Sequence, residues 1–445
     1  MKRFLAAVEK HVELMQSTFA YIWKNPETGF REWKTHACLK EVFLSLGYSL
    51  TEAGNIPGFT AEADTGRPGP TILVFGEMDG LIVPGHPDAD PVTGAVHACG
   101  HACQTAALAG LAAALKEPGA LDGLSGKVRF VVVPAEEGIE FDFRQQLKKD
   151  GVISYTRGKT EFLHRGLLDG GEISLLIHTN TGKPHRGSMN GGSNGLISKS
   201  VRFEGVATHA AAPYKAINAL YAANLALNAI NALRETFRDD NHIRVHPILS
   251  QAGTSVNSIP NHVVLETYVR GANMDAVVAA NKKVNRAIAA SAAALGAKVR
   301  ITDEAGSFPR WTDRTVFPLV ENAMDAVLEG YDCDAGRWGV GCSDMGDMAS
   351  LMPTVQAYVT GVEGKEHGVD YRIYDVDSAV ADGARILLLT IRQLLENDAQ
   401  KAREAVDAYK PRFASREEFF ALKHAITREF DAVTYRDDGS VVLEA

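Results

Sequence analysis

Hydrophobic and polar residues follow two different periods in the first part of the chain. Apolar positions recur at helical spacing from Phe4 to Ile22 and again from Thr35 to Leu46. The runs 58–63 and 71–75 are strand-like, and a cluster of turn residues over 65–70 separates them. Because helical segments alternate with strand-like runs, the pattern predicts an α/β domain built on a sheet.

Polar side chains follow three of the predicted strands directly. The strands are 71–75, Lys127–Val133 and 173–177. The residues that follow them are Asp79, the pair Glu136 and Glu137, and His178. In an α/β sheet, ligands bind beyond the carboxyl ends of the strands. We therefore expect these polar side chains to lie at one edge of the sheet.

The character of the chain changes near residue 192, where glycine-rich sequence over 190–195 indicates a hinge between domains. Beyond it we predict strand, helix, two strands, helix and strand, over 196–203, 216–234, 243–249, 263–270, 274–295 and 298–302. This βαββαβ order predicts a separate sandwich domain inserted into the first. The predicted domains are a catalytic domain of residues 1–193 and 308–405, an inserted domain of residues 194–307, and a helical tail of residues 406–445.

Composition excludes several classes of protein. The 445 residues carry a formal net charge of −9 and no long basic run, which argues against nucleic acid or an anionic membrane as a partner. No apolar run approaches the roughly 18 residues that span a bilayer, and the N-terminal residues do not form the apolar region of a signal peptide. Five cysteines spread over the chain do not suggest a disulfide framework. They favour a cytoplasmic protein with reduced thiols.

The stretch 96–104 has the highest density of reactive side chains. Cys99 and His101 flank Gly100, which lets the backbone turn so that sulfur and nitrogen face one point. A Cys-x-His pair alone is also typical of a buried cysteine beside a capping histidine. The interpretation as a pair of metal ligands therefore depends on the other polar stretches.

Two adjacent carboxylates at the end of a strand repel each other unless a nearby positive charge offsets the repulsion and gives the two groups different roles. A metal site would supply that charge, with one of Glu136 and Glu137 as a ligand and the other free to accept a proton from water. A solvated acidic turn is the alternative. Asp79 likewise allows two interpretations, a turn aspartate or a carboxylate that orients a metal-bound histidine.

The remaining candidates are scattered. His367, in a glycine-flexible loop after another predicted strand, is the last candidate ligand. The inserted domain contains the polar residues His209, Asn218, Asn257 and Arg270, each of which is more typical of a surface. Arg270 ends a predicted strand, however, and a guanidinium fork fits both oxygens of a substrate carboxylate.

In this order the motifs resemble the metallopeptidase M20 family, and in particular its amidohydrolase branch, which includes aminobenzoyl-glutamate and N-acyl-amino-acid hydrolases. The motifs that carry the resemblance are Asn25-Pro26-Glu27 near the start, Gly76-Glu77-Met78-Asp79, His97-Ala-Cys-Gly-His101, Pro134-Ala-Glu-Glu-Gly138, Gly205-x-x-x-His209-x-x-x-Pro213-x-x-x-x-Asn218 and Val256-Asn257-Ser-Ile-Pro260, with His178 and His367 in the same order. They cover nearly the whole chain.

The resemblance implies a zinc-peptidase-like α/β fold, with a mixed sheet and an inserted sandwich domain that serves as a lid and as the homodimer contact. It implies two divalent ions with the ligands Cys99, His101, Glu137, His178 and His367. The donors favour Zn or Mn, since thiolate and imidazole suit zinc and carboxylates in a site for two ions tolerate manganese. Glu136 would be the general base, and Asp79 would be the carboxylate that orients a metal-bound histidine. His209 would steady the oxyanion in a partner's site, and the substrate would be bound by Asn218, Asn257 and Arg270.

The chain departs from the family's pattern at one point. Members of this branch commonly follow Cys-Gly-His with Asp or Asn and a further His, whereas this chain has Ala102, Cys103 and Gln104. We expect this change to affect the floor of the pocket and the substrate, not the metal ligands. The long polar segment 140–172 suggests a specificity loop of its own, in which Arg157 or Lys159 could serve.

The predicted reaction is hydrolysis of the amide bond of an N-acyl or N-aroyl amino acid by metal-activated water. A dipeptidase or carboxypeptidase that uses the same site is an alternative, and the size of the acyl group would discriminate between them. A metal-dependent binding protein without catalysis is a second alternative, against which the presence of Glu136 argues. A thiol nucleophile at Cys99 or Cys103 is a third, but no residue is visibly placed to orient a histidine base.

Overall fold

The structure, a computed structural model, describes residues 2–181 and 186–444. The helices are α1 (Lys2–Glu9), α2 (Val12–Lys24), α3 (Trp33–Ser45), α4 (His101–Lys116), α5 (Phe141–Lys149), α6 (Gly158–His164), α7 (Ala219–Ala232), α8 (Met274–Ala294), α9 (Phe317–Val327), α10 (Met345–Met348), α11 (Asp382–Ala408) and α12 (Arg416–Ile426).

The strands are β1 (Leu50–Glu52), β2 (Phe59–Asp64), β3 (Thr71–Glu77), β4 (Leu81–Ile82), β5 (Ala95–Val96), β6 (Lys127–Val133), β7 (Ile173–Thr179), β8 (Gly187–Glu204), β9 (Arg244–Val245), β10 (Ile248–Gln251), β11 (His262–Gly271), β12 (Lys298–Ala305), β13 (Arg310–Trp311), β14 (Tyr331–Cys342), β15 (Thr354–Val359), β16 (Val362–Glu363), β17 (Arg372–Ile373), β18 (Arg428–Asp431), β19 (Val433–Tyr435) and β20 (Val441–Leu443).

The chain forms two compact units. The first unit consists of Met1–Gly192, Arg310–Gly339 and Asp347–Arg412, and the second consists of Ser193–Pro309, Val340–Gly346 and Phe413–Ala445. The predicted α/β class with a mixed sheet is confirmed. None of the helices within 2–181 and 186–444 is both long enough and apolar enough to cross a membrane.

The sheet of the first unit has the strand order β1-β2-β6-β3-β7-β15-β8. Strands β6, β3, β7 and β15 are parallel neighbours, whereas β1, β2 and β8 run antiparallel to their neighbours. Strand β3 is buried throughout, as expected for a parallel strand that is covered on both faces. The carboxyl ends of the four parallel strands lie along one edge of the sheet, where α/β proteins bind ligands.

Helix α4 packs on this sheet. Its residues from His101 to Leu115 are all buried, and it contacts α2, α11, β3 and β7. The many alanines of α4 allow such close packing on several sides because a methyl group occupies little space. The helix therefore begins at a fixed position, with its first residue His101 at the edge of the sheet.

The second unit contains the last part of β8 between β11 and β12, with β10 beside β11 and β18 beside β12. Helices α7 and α8 pack against each other and against β11. The predicted βαββαβ order is present, with the second strand divided into β9 and β10.

Predictions for the first helix, the segment 140–172 and the C-terminal tail differ from the structure. The helix expected from Phe4 to Ile22 is divided into α1 and α2, because His11 leaves the helical conformation. The segment 140–172, expected to be irregular, contains α5 and α6. Residues 413–445 are not a separate helical tail: they cluster with the second unit, where β18 pairs with β12 along the register Arg300 to Asp431.

The glycine-rich stretch 190–195 contains the predicted boundary, since the first unit ends at Gly192 and the second begins at Ser193, but it is not an irregular linker. It lies inside the 18-residue strand β8, and all of it except Asn190 is buried. A Cβ atom on Gly191 would lie 2.1 Å from the backbone oxygen of Ala335. These glycines permit close approach of backbone to backbone, a common reason for glycine in a strand, and composition alone does not distinguish that role from flexibility.

Candidate metal and active site

Six side chains predicted from the sequence meet beyond the carboxyl ends of β3, β6 and β7. Each of three groups has ligand atoms within 4.8 Å of one another, namely Cys99 with His101 and His178, Cys99 with Glu137 and His367, and His101 with Glu136 and Glu137. Cys99 Sγ lies 3.5 Å from His178 Nε2, and His367 Nε2 lies 3.6 Å from Glu137 Oε1. The groups share members and therefore adjoin one another.

The turn before α4 presents Cys99 and His101 to this region. Gly100 has a φ of 97°, in the left-handed region that favours glycine. A Cβ atom at this position would lie 2.0 Å from Thr179 Oγ1. Any other residue here would be strained and would also collide with β7, so the predicted role of Gly100 in the turn is confirmed.

The ring of His101 is held by Asp79. Nδ1 lies 2.8 Å from the backbone oxygen of Asp79 and 3.2 Å from its Oδ1, so Nδ1 carries the proton and donates it. Nε2 is buried without a hydrogen-bond partner among residues 2–181 and 186–444. A histidine ligand of a metal has this arrangement, with one nitrogen held and the other free to coordinate.

Asp79 also contacts the glutamate turn, because its Oδ2 accepts a hydrogen bond of 2.8 Å from the backbone nitrogen of Glu137. Burial disfavours the charged form, but hydrogen bonding to His101 and the charge of His101 hold the pKa of Asp79 below its ordinary value. Asp79 is thus a buried carboxylate that links two candidate ligands, and the interpretation of Asp79 as a simple turn aspartate does not fit the structure.

The turn after β6 directs Glu136 and Glu137. Both residues are 8% exposed. Ala135, which precedes them, has a φ of 57°, an unusual conformation for a residue with a Cβ atom. Arg157 Nη1 donates a hydrogen bond to the backbone oxygen of Glu136. Backbone strain of this kind persists where the surrounding structure enforces it, and it is frequent at functional sites.

His367 is the exposed member of the cluster, since 52% of its side chain is accessible. Its φ of 62° is again left-handed, and its backbone nitrogen donates a hydrogen bond of 2.9 Å to the oxygen of Ala98. This bond ties the loop after β16 to the turn that carries Cys99. His367 therefore reaches the cluster from the solvent side.

The chemistry of these side chains fits divalent cations. One thiol, three imidazoles and two carboxylates are the donors that zinc accepts, and carboxylates in a site for two ions also suit manganese. Glu137 Oε1, like His101 Nε2, is buried without a hydrogen-bond partner in the described part of the chain. Two buried acceptors that converge on one region fit a cation and would otherwise be costly.

A thiol nucleophile is disfavoured in this environment. Burial and the neighbouring carboxylates, first of all Glu137, raise the pKa of the Cys99 thiol well above its usual value. Burial likewise raises the pKa of Cys103. A nucleophilic cysteine needs the opposite shift, toward the thiolate. Cys99 becomes a thiolate here only if a cation offsets the carboxylates.

Sequence reasoning missed Glu77, the last residue of β3. Glu77 forms a fully buried ion pair with Lys159 of α6, and its Oε2 accepts a hydrogen bond of 2.8 Å from Gln104 Nε2. The same oxygen lies 3.2 Å from His101 Nε2. The signal was present, because Glu77 belongs to the motif before Asp79 and Gln104 is one of the departures from the family's pattern. Lys159 is the buried ion-pair partner of Glu77 and is not exposed on a loop.

The four other predicted residues belong to the second unit. His209 and Asn257 are exposed, and Arg270 is half-buried beside the ring of Tyr268. The side-chain oxygen of Asn218 caps α7 by accepting hydrogen bonds from Leu220 N at 3.0 Å and Tyr221 N at 3.3 Å. A helix cap accounts for Asn218 in the structure, and a role of these four residues toward a substrate stays a prediction.

Sequence comparison finds relatives among hydrolases. The chain is 31% identical over 299 residues to an indole-3-acetyl-aspartic acid hydrolase of Enterobacter agglomerans, a match that covers 62% of this chain and 63% of the relative. It is 32% identical over 234 residues to one subunit of the p-aminobenzoyl-glutamate hydrolase of Escherichia coli, with 49% of each covered. The chain thus spans between about half and two thirds of the length of these relatives.

Structural comparison supports the same fold. A crystal structure from Bacillus subtilis, described as a dinuclear metal-binding peptidase from the M20 family, superimposes with a TM-score of 0.62 at 20% sequence identity. The match covers 88% of this chain and 99% of that one. The family model described as peptidase family M20/M25/M40 matches residues 73–393, well over half of the sequence. The resemblance seen in the motifs is confirmed, and the chain belongs to peptidase family M20/M25/M40.

Proposed function

We propose that this protein is a metal-dependent amidohydrolase that cleaves the amide bond of an N-acyl or N-aroyl amino acid. One observation carries the proposal: the buried carboxylate of Glu136 lies with His101 and Glu137 within one group of side chains that can hold a cation. A protein that only binds metal has no need for a second carboxylate beside the one that coordinates.

Cys99, His101, Glu137, His178 and His367 would hold two divalent ions, Zn or Mn. Such ions supply Lewis-acid chemistry, since they polarise an amide carbonyl and make water a stronger nucleophile near neutral pH. Asp79 orients His101 through the Nδ1 contacts and fixes the backbone of Glu137. The backbone hydrogen bond from Arg157 helps to hold the turn at Glu136.

Glu136 acts as the proton carrier of the reaction. Its carboxylate accepts a proton from the attacking water and then donates that proton to the departing amine nitrogen. One side chain can serve both steps because the carboxylate is regenerated when the amine leaves. General acid–base catalysis of this kind contributes about 10²- to 10⁴-fold to the rate.

The relatives suggest the substrate class. The names of both hydrolases describe an aromatic acyl group joined to an acidic amino acid. We propose a substrate of the same chemistry, with Asn218, Asn257 and Arg270 of the second unit as the residues that bind its carboxylate. The cation of Arg270 is suited to this task, since a guanidinium binds a carboxylate through two parallel hydrogen bonds.

The test is amine release from N-aroyl, N-acetyl and indoleacetyl amino acids and from dipeptides, using metal-free protein resupplied with Zn or Mn. We expect metal-dependent turnover of an aroyl or arylacetyl amino acid, and a loss of about 10²- to 10⁴-fold in Glu136→Gln. The metal content of the variant should equal that of the wild type. Full activity of Glu136→Gln would refute the assigned role.

The same panel separates the alternatives. Turnover restricted to dipeptides would favour the peptidase over the amidohydrolase. Silence across the panel, with metal bound by wild type and variant alike, would favour a binding protein.

We also propose a cytoplasmic homodimer formed through the second unit. Tyr221, Leu225, Ile248 and Val256 are exposed apolar residues of this unit, and such residues are frequent in interfaces. In the dimer His209 would act in the partner's site. All five cysteines are unpaired, which suits a reducing compartment. Sedimentation should show a dimer that Tyr221→Glu weakens, and a monomeric wild type would refute the proposal.

A further inference from the structure

Tyr358 stands beside the candidate metal site. It lies on β15, and in the parallel pairing of β15 with β7 its cross-strand neighbour is His178. The two rings are 5.9 Å apart between centroids and inclined at 57°. Neighbouring residues in a parallel pair point to the same face of the sheet. The side chain of Tyr358 therefore lies next to a candidate metal ligand, at the edge where the cluster forms.

Behind Tyr358 lies Arg310, which is fully buried. Its Nη1 donates to Thr312 Oγ1 and its Nη2 donates to Asn190 Oδ1, each at 2.6 Å. It also hydrogen-bonds to Tyr358. No carboxylate lies within 4.0 Å of the guanidinium in the ranges 2–181 and 186–444. Burying a cation that has only neutral hydrogen-bond acceptors costs free energy. No ion pair offsets this cost at Arg310, so its charge requires another explanation.

The charge of Arg310 acts on the phenol group of Tyr358. The hydroxyl oxygen accepts hydrogen bonds from Arg310 and from Gln356 Nε2, the latter at 3.2 Å. A hydroxyl has two lone pairs and one proton. With both lone pairs occupied, the proton is left to donate elsewhere. Burial raises the pKa of Tyr358, and the charge of Arg310 opposes that rise. The cationic donor on the oxygen also polarises the O–H bond toward donation.

We propose that Tyr358 donates a hydrogen bond to the carbonyl oxygen of the scissile amide and to the oxyanion that this oxygen becomes, and that Arg310 is the residue that positions and polarises Tyr358. The proposal rests on the proposed function. Because Tyr358 adjoins His178, the substrate atom within its reach is the carbonyl oxygen at the metal site. The carboxylate of an N-acyl amino acid is several bonds farther away.

Tyr358→Phe tests the hydroxyl while it preserves the ring. We expect kcat to fall about 10²- to 10³-fold, the effect of removing one donor to an oxyanion, while KM changes little. Affinity for a phosphonate analogue with a tetrahedral oxyanion, measured by calorimetry, should fall by a similar factor. Affinity for the carboxylic acid product should stay within about twofold, because a merely structural role would not separate the two ligands.

Tyr48→Phe is the matched control. Tyr48 is a buried tyrosine of the same unit, and its hydroxyl donates to the backbone oxygen of Ala112 at 2.8 Å. Loss of this bond should lower stability by about 1 kcal/mol and leave kcat and the affinity for the phosphonate unchanged. Metal content is measured in each variant.

Arg310 is tested by a double-mutant cycle. If Arg310 acts through Tyr358, Arg310→Met should lower kcat and the affinity for the phosphonate in the same direction as Tyr358→Phe. The double variant should be no worse than Tyr358→Phe alone, since two residues that act as a unit are not additive. Arg310→Lys keeps the positive charge and should restore part of the loss.

Three outcomes would overturn the assignment. They are unchanged kcat in Tyr358→Phe, equal losses of affinity for phosphonate and product, and a rise in KM at constant kcat. If the wild type is active and any of these results is found, only the role of Tyr358 is refuted. A wild type that releases no amine from any member of the substrate panel removes the proposed function, and the role of Tyr358 with it.

Discussion

Among residues 2–181 and 186–444, each unit of this protein contains a lysine that is fully buried in an ion pair with a carboxylate, and the pairs of Lys159 and Lys199 have different surroundings. In the second unit, Lys199 pairs with Asp303, whose oxygens also accept hydrogen bonds from Asn281 at 2.8 Å and Asn285 at 3.0 Å. Every oxygen of Asp303 has a donor. Arg428 Nε also lies 3.6 Å from Asp303 Oδ2, and the amide oxygen of Asn281 is buried without a hydrogen-bond partner. We call the pair in the second unit closed because, in the described part of the chain, it borders no unsatisfied imidazole or carboxylate.

In the first unit, Lys159 pairs with Glu77, and Glu77 Oε2 lies 3.2 Å from the unpartnered Nε2 of His101. This pair therefore borders buried acceptors that no side chain of residues 2–181 and 186–444 satisfies. The difference shows how a structural ion pair can be distinguished from one that serves a site. Both pairs are buried, and the distinguishing feature is the chemistry of the unsatisfied acceptor beside each pair: an imidazole nitrogen of His101, which can coordinate a cation, beside Glu77, and an amide oxygen of Asn281 beside Asp303.

The largest expected effect comes from replacing each lysine with methionine. Removal of one partner from a buried ion pair costs about 3–5 kcal/mol in unfolding free energy, so Lys159→Met and Lys199→Met should lose similar stability without metal. In Lys159→Met the unpaired charge of Glu77 would attract a cation, and added Zn or Mn should then restore more stability than in the wild type. Urea unfolding with and without metal measures both quantities.

Lys199→Met is the matched control, because its gain on metal addition should equal that of the wild type. Equal gains in the two lysine variants would show that the Glu77 pair is as closed as the Asp303 pair. The distinction between the two units would then fail.

The next effect concerns the carboxylates. Asp79→Asn removes the charge that holds His101 and Glu137, and such supporting residues typically contribute 10- to 100-fold to metal affinity. We expect competition with a chelator to show a weakening in that range for Asp79→Asn. Asp303→Asn, the corresponding change in the second unit, should lower stability and leave metal affinity unchanged. A weakening below about threefold in Asp79→Asn would contradict its supporting role.

A smaller effect on stability is expected from replacing one glycine in each unit with alanine, which compares the packing of the two units. A methyl group on Gly191 would lie 2.1 Å from the oxygen of Ala335, whereas one on Gly341 would meet no atom within 4 Å. Gly191→Ala should therefore cost about 1–3 kcal/mol, as overpacking usually does, and Gly341→Ala should be nearly neutral. Chemical denaturation of the two variants decides this, and a neutral Gly191→Ala would return residues 190–195 to the hinge interpretation.

The smallest effect is a pH dependence at a buried imidazole of the first unit. Burial lowers the pKa of His36, whose Nδ1 accepts a hydrogen bond of 2.9 Å from Gly58 N. The unfolded chain then binds more protons than the folded one below about pH 6.5, so stability is lost as pH falls from there. His36→Gln should flatten the dependence of unfolding free energy on pH between about 6.5 and 5. An unchanged slope in the variant would assign the dependence to other groups.

Much of the first unit could be predicted because its strands and its chemistry share one cause. Parallel strands are buried on both faces, so β3, β6 and β7 can be recognised in the sequence as apolar runs. The carboxyl ends of parallel strands also lie at one edge of the sheet. The positions of Asp79, Glu136 and His178 follow from these two facts. Cys99 and His101 were found because Gly100 marks the turn between them.

Other features depend on packing that a single sequence does not show. Glu77 reads as the polar end of a strand, and its burial against Lys159 depends on the position of α6, a helix too short for a periodic pattern. The roles of Tyr358 and Arg310 depend on register and burial. Glycines 191 and 192 were misread because the same composition is typical of a flexible linker and of a tightly packed strand.

The pairing of β18 with β12 has a consequence for synthesis of the protein. Strand β12 ends at Ala305 and its outer neighbour β18 begins at Arg428, so about 120 residues are translated between them. At about 5–20 residues per second, the ribosome needs roughly 6–24 s for that stretch. During this interval the outer backbone groups of β12 lack their native partner, and an open edge of this kind can pair with another chain. We therefore expect the nascent chain to require protection by a chaperone until β18 emerges and pairs with β12.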